Sequence, residues 1–167
     1  MGERTKELLL IRHAKSSWED PALADWERPL APRGERAAPE MGRRLLQQGR
    51  VPEQLVSSEA VRARQTAKLL AEAMGLDRQQ IAVDPRLYEA GPNEWLAVIR
   101  DQPDCYHRIA LIGHNPALEQ VARQLLGLQT SKVPTAAVIY AHLSIDAWAE
   151  ADAACAELID FDYPKRR

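Results

Sequence analysis

The stretch Leu8-Leu9-Leu10-Ile11-Arg12-His13-Ala14 decides how this chain folds. Four consecutive apolar residues bounded by charge read as a strand buried on both faces, as in a parallel sheet. Ligands of open α/β sheets bind just beyond the carboxyl ends of such strands. Arg12 and His13 stand where this strand ends, so both are expected to face that crevice. A second run, Ile109-Ala110-Leu111-Ile112-Gly113-His114, ends in the same way.

Outward from the first strand, residues 14–32 carry Lys15-Ser16-Ser17-Trp18 and then Pro21, Pro29 and Pro32, the composition of a long loop. Gly34 to Gln48 turns helical, with Ala38, Met41, Leu45 and Leu46 on one face and Gly49 as its stop. Pro39 fits only the first turn or so of that helix. Gln54 to Ser58 reads as a second strand, and Ser58 as the N-cap of a helix running to about Met74. Ile81-Ala82-Val83 is a third strand, and residues 93–101 a short helix. The fourth strand is 108–113; Asn115 then caps a helix with Pro116 at its first position and Gly127 at its end. Ala136 to Ile145 and Ala156 to Phe161 read as two strands joined by a turn, with no helix between them to serve as a crossover. They are expected to pair antiparallel at one edge. The pattern predicts a three-layer α/β/α sandwich with a mostly parallel central sheet and an antiparallel edge.

A length of 167 residues is expected to make one domain spanning 1–167. Its net charge of −2 offers no general attraction to nucleic acid or anionic lipid. The terminal Lys165-Arg166-Arg167 is too short to change that expectation. Cys105 and Cys155 form no CxxC pattern, so a thiolate zinc site and a disulfide framework are not expected. Met1-Gly2-Glu3-Arg4 leads straight toward the first strand without an apolar leader. Lys6 stands where a myristoylation signal on Gly2 needs Ser or Thr. The expected location is cytoplasmic, with no membrane partner.

Three strand ends supply the side chains with chemistry: Arg12 and His13 after the first, Arg62 one turn into the helix after the second, and His114 after the fourth. Two guanidiniums and two imidazoles beside helix N-termini make an oxyanion pocket suited to phosphate. Lys15 and Ser16 on the following loop are candidate substrate-binding residues. Arg28 either lines the mouth or pairs with Asp25 or Glu27. Arg64 belongs on the outer helix face, two positions from Arg62. His107 and His142 read as surface or packing residues, and Trp18, Trp26 and Trp95 as packing or pocket rim.

Arg12-His13-Ala14, Ser58-Glu59-Ala60-Val61-Arg62-Ala63-Arg64-Gln65-Thr66 and Gly113-His114-Asn115-Pro116 together resemble the histidine phosphatase superfamily, with its phosphoglycerate-mutase-like fold. Leu10 to Trp18, followed by Arg28-Pro29-Leu30 and Arg33-Gly34, resembles the small SixA-type phosphohistidine phosphatases. Ala14 departs from the glycine usual in the wider superfamily. The resemblance implies that His13 is the nucleophile of a covalent phosphohistidine, a role open to a neutral ring whose other nitrogen is held as a donor. It implies that Arg12, Arg62 and His114 hold the phosphoryl oxygens, and that neither a metal nor a cofactor is needed. Glu89 matches the region from which many members draw a general acid, and reads equally as a solvated loop carboxylate. The short segment between Glu89 and the fourth strand leaves no room for a large lid, so an open site is expected. Its substrate would be a phosphorylated protein or a small phosphorylated metabolite. A small-molecule phosphomonoesterase and a phosphate-binding module without turnover are the alternatives.

Overall fold

The computed structural model describes residues 5–130 and 132–166. The reading of Gly2 and of the leader-free start, and the last residue of the basic tail, Arg167, lie outside them. Six strands form one sheet: β1 (Lys6–Arg12), β2 (Gln54–Ser57), β3 (Ile81–Val83), β4 (Arg108–Gly113), β5 (Val138–Leu143) and β6 (Ala156–Asp162). Four helices accompany them: α1 (Pro32–Gln47), α2 (Val61–Met74), α3 (Pro92–Arg100) and α4 (Ala117–Leu126).

The spatial order is β3-β2-β4-β1-β5-β6. The first four strands in that order run parallel, and β5 is antiparallel to both β1 and β6. β1 is central because every one of its four apolar residues is buried, with Leu8 and Leu10 on one face and Leu9 and Ile11 on the other. The first face is covered by α3 and α4 through Trp95, Val98, Leu118 and Val121. The second is covered by α1 and α2 through Ala38, Met41, Ala67 and Leu70. This is the expected three-layer α/β/α sandwich with an antiparallel edge. The chain leaves β1 toward one face and β4 toward the other, so these adjacent strands flank a topological switch point where a crevice opens.

Local structure departs from the sequence reading in four places. α1 begins at Pro32 and runs through Pro39, which therefore sits beyond the first turn. Burial of Ala38, Met41 and Leu45 holds the helix together past the missing donor. Leu46 lies outside that buried stripe and is exposed. α2 starts at Val61 after Ala60, two residues beyond the expected cap; the Ser58 hydroxyl accepts the Ala60 N–H at 3.2 Å and also meets His114. α4 starts at Ala117, and Pro116 precedes it; Asn115 donates its side-chain amide to the Val133 carbonyl at 3.1 Å.

Between β1 and α1 the loop folds back on itself as a strap. Ser17 N–H donates to Pro29 O and Ala31 N–H to Lys15 O, both at 2.8 Å. Gly34 permits this closure, since a Cβ there would lie 2.2 Å from the Lys15 carbonyl oxygen. The strap carries a short 3-10 turn at Asp25–Glu27 and rests on α2.

Candidate active site

β1 and β4 deliver His13 and His114 to the same end of the sheet, where their rings lie 5.1 Å apart between centroids. His13 N–H continues the β1–β4 ladder onto the Gly113 carbonyl at 2.9 Å, which fixes its backbone. From the other side Ala136 N–H reaches the Arg12 and His13 carbonyls, both at 3.1 Å. Ala14 is fully buried, and its N–H donates to the Thr66 hydroxyl on α2 at 3.0 Å. Gly113 is required by close approach, because a Cβ there would meet the Trp95 ring at 2.5 Å.

His13 is buried, and its Nδ1 lies 2.7 Å from the Ala14 carbonyl oxygen. A carbonyl only accepts, so in the neutral ring Nδ1 carries the hydrogen and Nε2 keeps its lone pair. Burial pushes the ring pKa down to about 3, against the bond to Ala14, and His114, Arg62 and Arg12 push the same way. His114 is held down to about 4, by burial and then by Arg62. Both rings are therefore neutral at physiological pH. A neutral, buried His13 with an oriented Nε2 is chemically fit to attack phosphorus.

The cations that would receive an oxyanion surround these rings. Arg12 donates Nη1 to the Val133 carbonyl at 2.8 Å; burial lowers its pKa and Glu119 opposes this. Its Nε, and Nδ1 of His114, are buried without a hydrogen-bond partner among the described residues. Buried polar atoms of this kind call for a ligand or water. Nε2 of His114 lies 2.7 Å from the Ser58 hydroxyl. Arg62 projects from the first turn of α2, buried, and meets Asp25 twice. Nη1 donates to the Asp25 carbonyl at 2.8 Å and Nη2 to its carboxylate at 3.0 Å. A guanidinium has five N–H donors, so three remain beyond those two.

Of the residues singled out from sequence, Arg12, His13, Arg62 and His114 converge. Ser16 and Lys15 sit on the strap. The Ser16 hydroxyl accepts from Arg28 Nη2 at 2.9 Å, and Lys15 is exposed. Glu89 is exposed in a left-handed backbone conformation (φ 52°), and it is the neighbouring Tyr88 whose ring packs on His114 at 5.5 Å. Arg28 pairs with Asp25, its guanidinium stacked against the exposed Trp18 ring. Trp95 is core. Arg64 is exposed, donating to the Glu59 carbonyl.

Sequence reasoning gave Asp25 only as a partner for Arg28, which the structure shows, and gave Tyr88 no role. Tyr88 donates its hydroxyl to Asp25 Oδ2 at 2.7 Å, tying the strap to the segment before α3. No periodicity links Asp25 to Arg62 or Tyr88; only the fold brings them together. Thr66 and Ser58 lay within the quoted motif, yet their roles as acceptor for Ala14 and partner for His114 had no local signal. Among the described residues, no three His, Cys, Asp or Glu side chains group as metal ligands.

The family model of the histidine phosphatase superfamily (branch 1) matches residues 8–98, which takes in Arg12, His13, Arg62 and Glu89 but stops short of His114. An uncharacterized protein of Mycobacterium tuberculosis is 32% identical over 165 residues, covering 93% of this chain and 100% of that protein. An uncharacterized chloroplastic protein of Arabidopsis thaliana is 32% identical over 132 residues, 74% of this chain; the match spans 60% of its length. SixA of Agrobacterium tumefaciens superimposes with a TM-score of 0.80 at 27% identity, over 95% of this chain and 99% of that one. The protein histidine phosphatase SixA complexed with tungstate shares the fold (TM-score 0.76, 20% identity, 95% and 97% coverage).

Proposed function

Because the chain belongs to the histidine phosphatase superfamily and is a phosphatase, we propose that it removes phosphoryl groups from phosphohistidine, on a protein or a small molecule, through a covalent intermediate on His13. The observation that carries this reading is the bond between His13 Nδ1 and the Ala14 carbonyl, which leaves Nε2 as an unprotonated nucleophile. Arg12, Arg62 and His114 then hold the non-bridging oxygens, meeting the charge that develops as phosphorus is transferred. The orphaned Arg12 Nε and His114 Nδ1 fit that role. Ser16 keeps its hydroxyl proton, and with Lys15 it supplies a further contact from the strap. Attack of Nε2 forms one P–N bond as the substrate's P–N bond breaks, and water then hydrolyses the intermediate.

Phosphohistidine is favoured over an alkyl ester because a ring already protonated on its other nitrogen leaves as neutral imidazole without an added proton, whereas an alkoxide needs an acid. Glu89 would be that acid in an esterase; it is exposed, next to the Tyr88 that packs on His114, and the phosphoramidate reading does not require it. The two free thiols, Cys105 and Cys155, agree with a reducing compartment, and the cytoplasm belongs to this proposal. Among the described residues no helix is long and apolar enough to cross a membrane.

Rapid mixing with phosphorus-labelled phosphohistidine, quenched without acid, tests the mechanism. Alkali-stable, acid-labile label on the wild type and none on His13→Ala is the expected result. No label and no phosphate release, with phosphate still bound, would instead make the chain a binding module.

A further inference from the structure

In-line displacement puts the leaving group opposite the nucleophile. His13 lies buried at the floor of the site, so the leaving group must face the solvent side. Asp25 lies on the more exposed side of Arg62, its side chain 51% exposed against 9%, and near enough to His114 to act on its charge. Its carboxylate accepts three hydrogen bonds: Oδ2 from Arg62 at 3.0 Å and from Tyr88 at 2.7 Å, and Oδ1 from Arg28 at 3.2 Å. A carboxylate offers about four lone-pair sites, so one on Oδ1 remains open. Against the burial that would raise it, the bonds from Tyr88 and Arg62 hold the Asp25 pKa below its ordinary value, and the group stays ionised. Asp25 is thus a poor proton donor and a ready acceptor.

A groove of about 460 Å³ lined by Trp26, Glu59, Arg64, Val83 and Tyr88 opens beside it. Tyr88 is common to the groove and to the Asp25 network. The groove has room for a five-membered ring, and two of its lining residues, Trp26 and Tyr88, are aromatic, a composition suited to a cationic ring. Arg64 is the opposing charge on its wall, and its Nε is turned to the Glu59 carbonyl at 3.0 Å.

We propose that Asp25 is a specificity-determining residue that selects phosphoryl donors whose leaving group is a protonated imidazole. This rests on the phosphatase reading above. The substrate ring, phosphorylated on one nitrogen and protonated on the other, donates that N–H to Asp25 Oδ1. As His13 Nε2 forms its bond to phosphorus, the electron pair of the breaking P–N bond returns to the ring nitrogen. The ring departs as neutral imidazole and keeps the proton that faces Asp25. An ester offers no such donor and develops negative charge next to the carboxylate, which disfavours it.

The test compares kcat/KM for free phosphohistidine and for p-nitrophenyl phosphate in wild type, Asp25→Asn and Asp25→Glu. Loss of one charge-assisted hydrogen bond should lower the phosphohistidine-to-ester ratio roughly tenfold or more in Asp25→Asn. Asp25→Glu, which keeps the charge, should hold the wild-type ratio even where the disturbed Arg62 contact slows both substrates. Equal losses on both substrates in Asp25→Asn, or the same fall in ratio in Asp25→Glu, would reduce Asp25 to a support for Arg62. That outcome leaves the phosphatase reading untouched, since turnover lost in His13→Ala is judged in the presence of Asp25.

Discussion

His13 and His114 are neutral in the folded protein, and in the unfolded chain each takes up a proton near pH 6.5. Their folded pKa values are depressed, so the unfolded state binds more protons as the pH falls below 6.5. Stability is therefore lost on acidification, by about 1.4 kcal/mol per pH unit for each ring. The loss continues until the folded values are passed, at about 4 for His114 and about 3 for His13. Denaturant titrations at pH 7, 6 and 5 should show this decline, and His13→Gln should show a shallower one because it lacks one of the two groups. Equal slopes would mean that His13 is not held neutral by the fold. The same depression keeps the nucleophile unprotonated at pH 5. Sequence identified both rings from their places after apolar runs, but not their neutrality, which comes from burial and from the Ala14 carbonyl.

Among the elements, the strap between β1 and α1 gives the site its outer wall, and its closure depends on Gly34. An added Cβ at 2.2 Å from a backbone carbonyl cannot be relieved by rotating a side chain, so α1 or the strap must move. Gly34→Ala should destabilise by about 1–3 kcal/mol, the usual range for overpacking, and should lower kcat/KM by shifting Asp25 off Arg62. Thermal unfolding together with phosphatase assays checks both, and an unchanged Tm would contradict the close approach. Helix interiors and strand centres were legible at this scale, because the 3.6-residue stripes and the apolar runs are local signals. Helix starts were not. Ser58 and Asn115 have the composition of caps, but α2 and α4 begin at Val61 and Ala117; Ser58 meets His114, 56 residues away, besides the Ala60 N–H, and Asn115 donates to Val133, 18 residues away.

For the whole molecule, the two faces of the sheet carry separate cores, and the site sits where strands with connections on opposite faces adjoin. The formal net charge of −2 makes any attraction for phosphate a local property of Arg12, Arg62 and the strap. Inorganic phosphate should therefore stabilise the folded state, by about 2.7 kcal/mol at a hundredfold excess over its Kd. Differential scanning of Tm against phosphate concentration measures this. Arg62→Met should largely abolish the shift, and a shift retained in full would place the phosphate elsewhere.

The sequence by itself determined the layer architecture, a mostly parallel sheet with an antiparallel edge, and the places of Arg12, His13 and His114 at strand ends and of Arg62 at a helix start. Apolar periodicity and strand-end position are short-range properties of the chain. Only the tertiary structure decided that Asp25 would grip Arg62 and Tyr88, that Thr66 would anchor Ala14, and that Ser58 would meet His114. Those are contacts between polar side chains far apart in sequence. Their formation depends on packing geometry, which leaves no periodic trace in the chain.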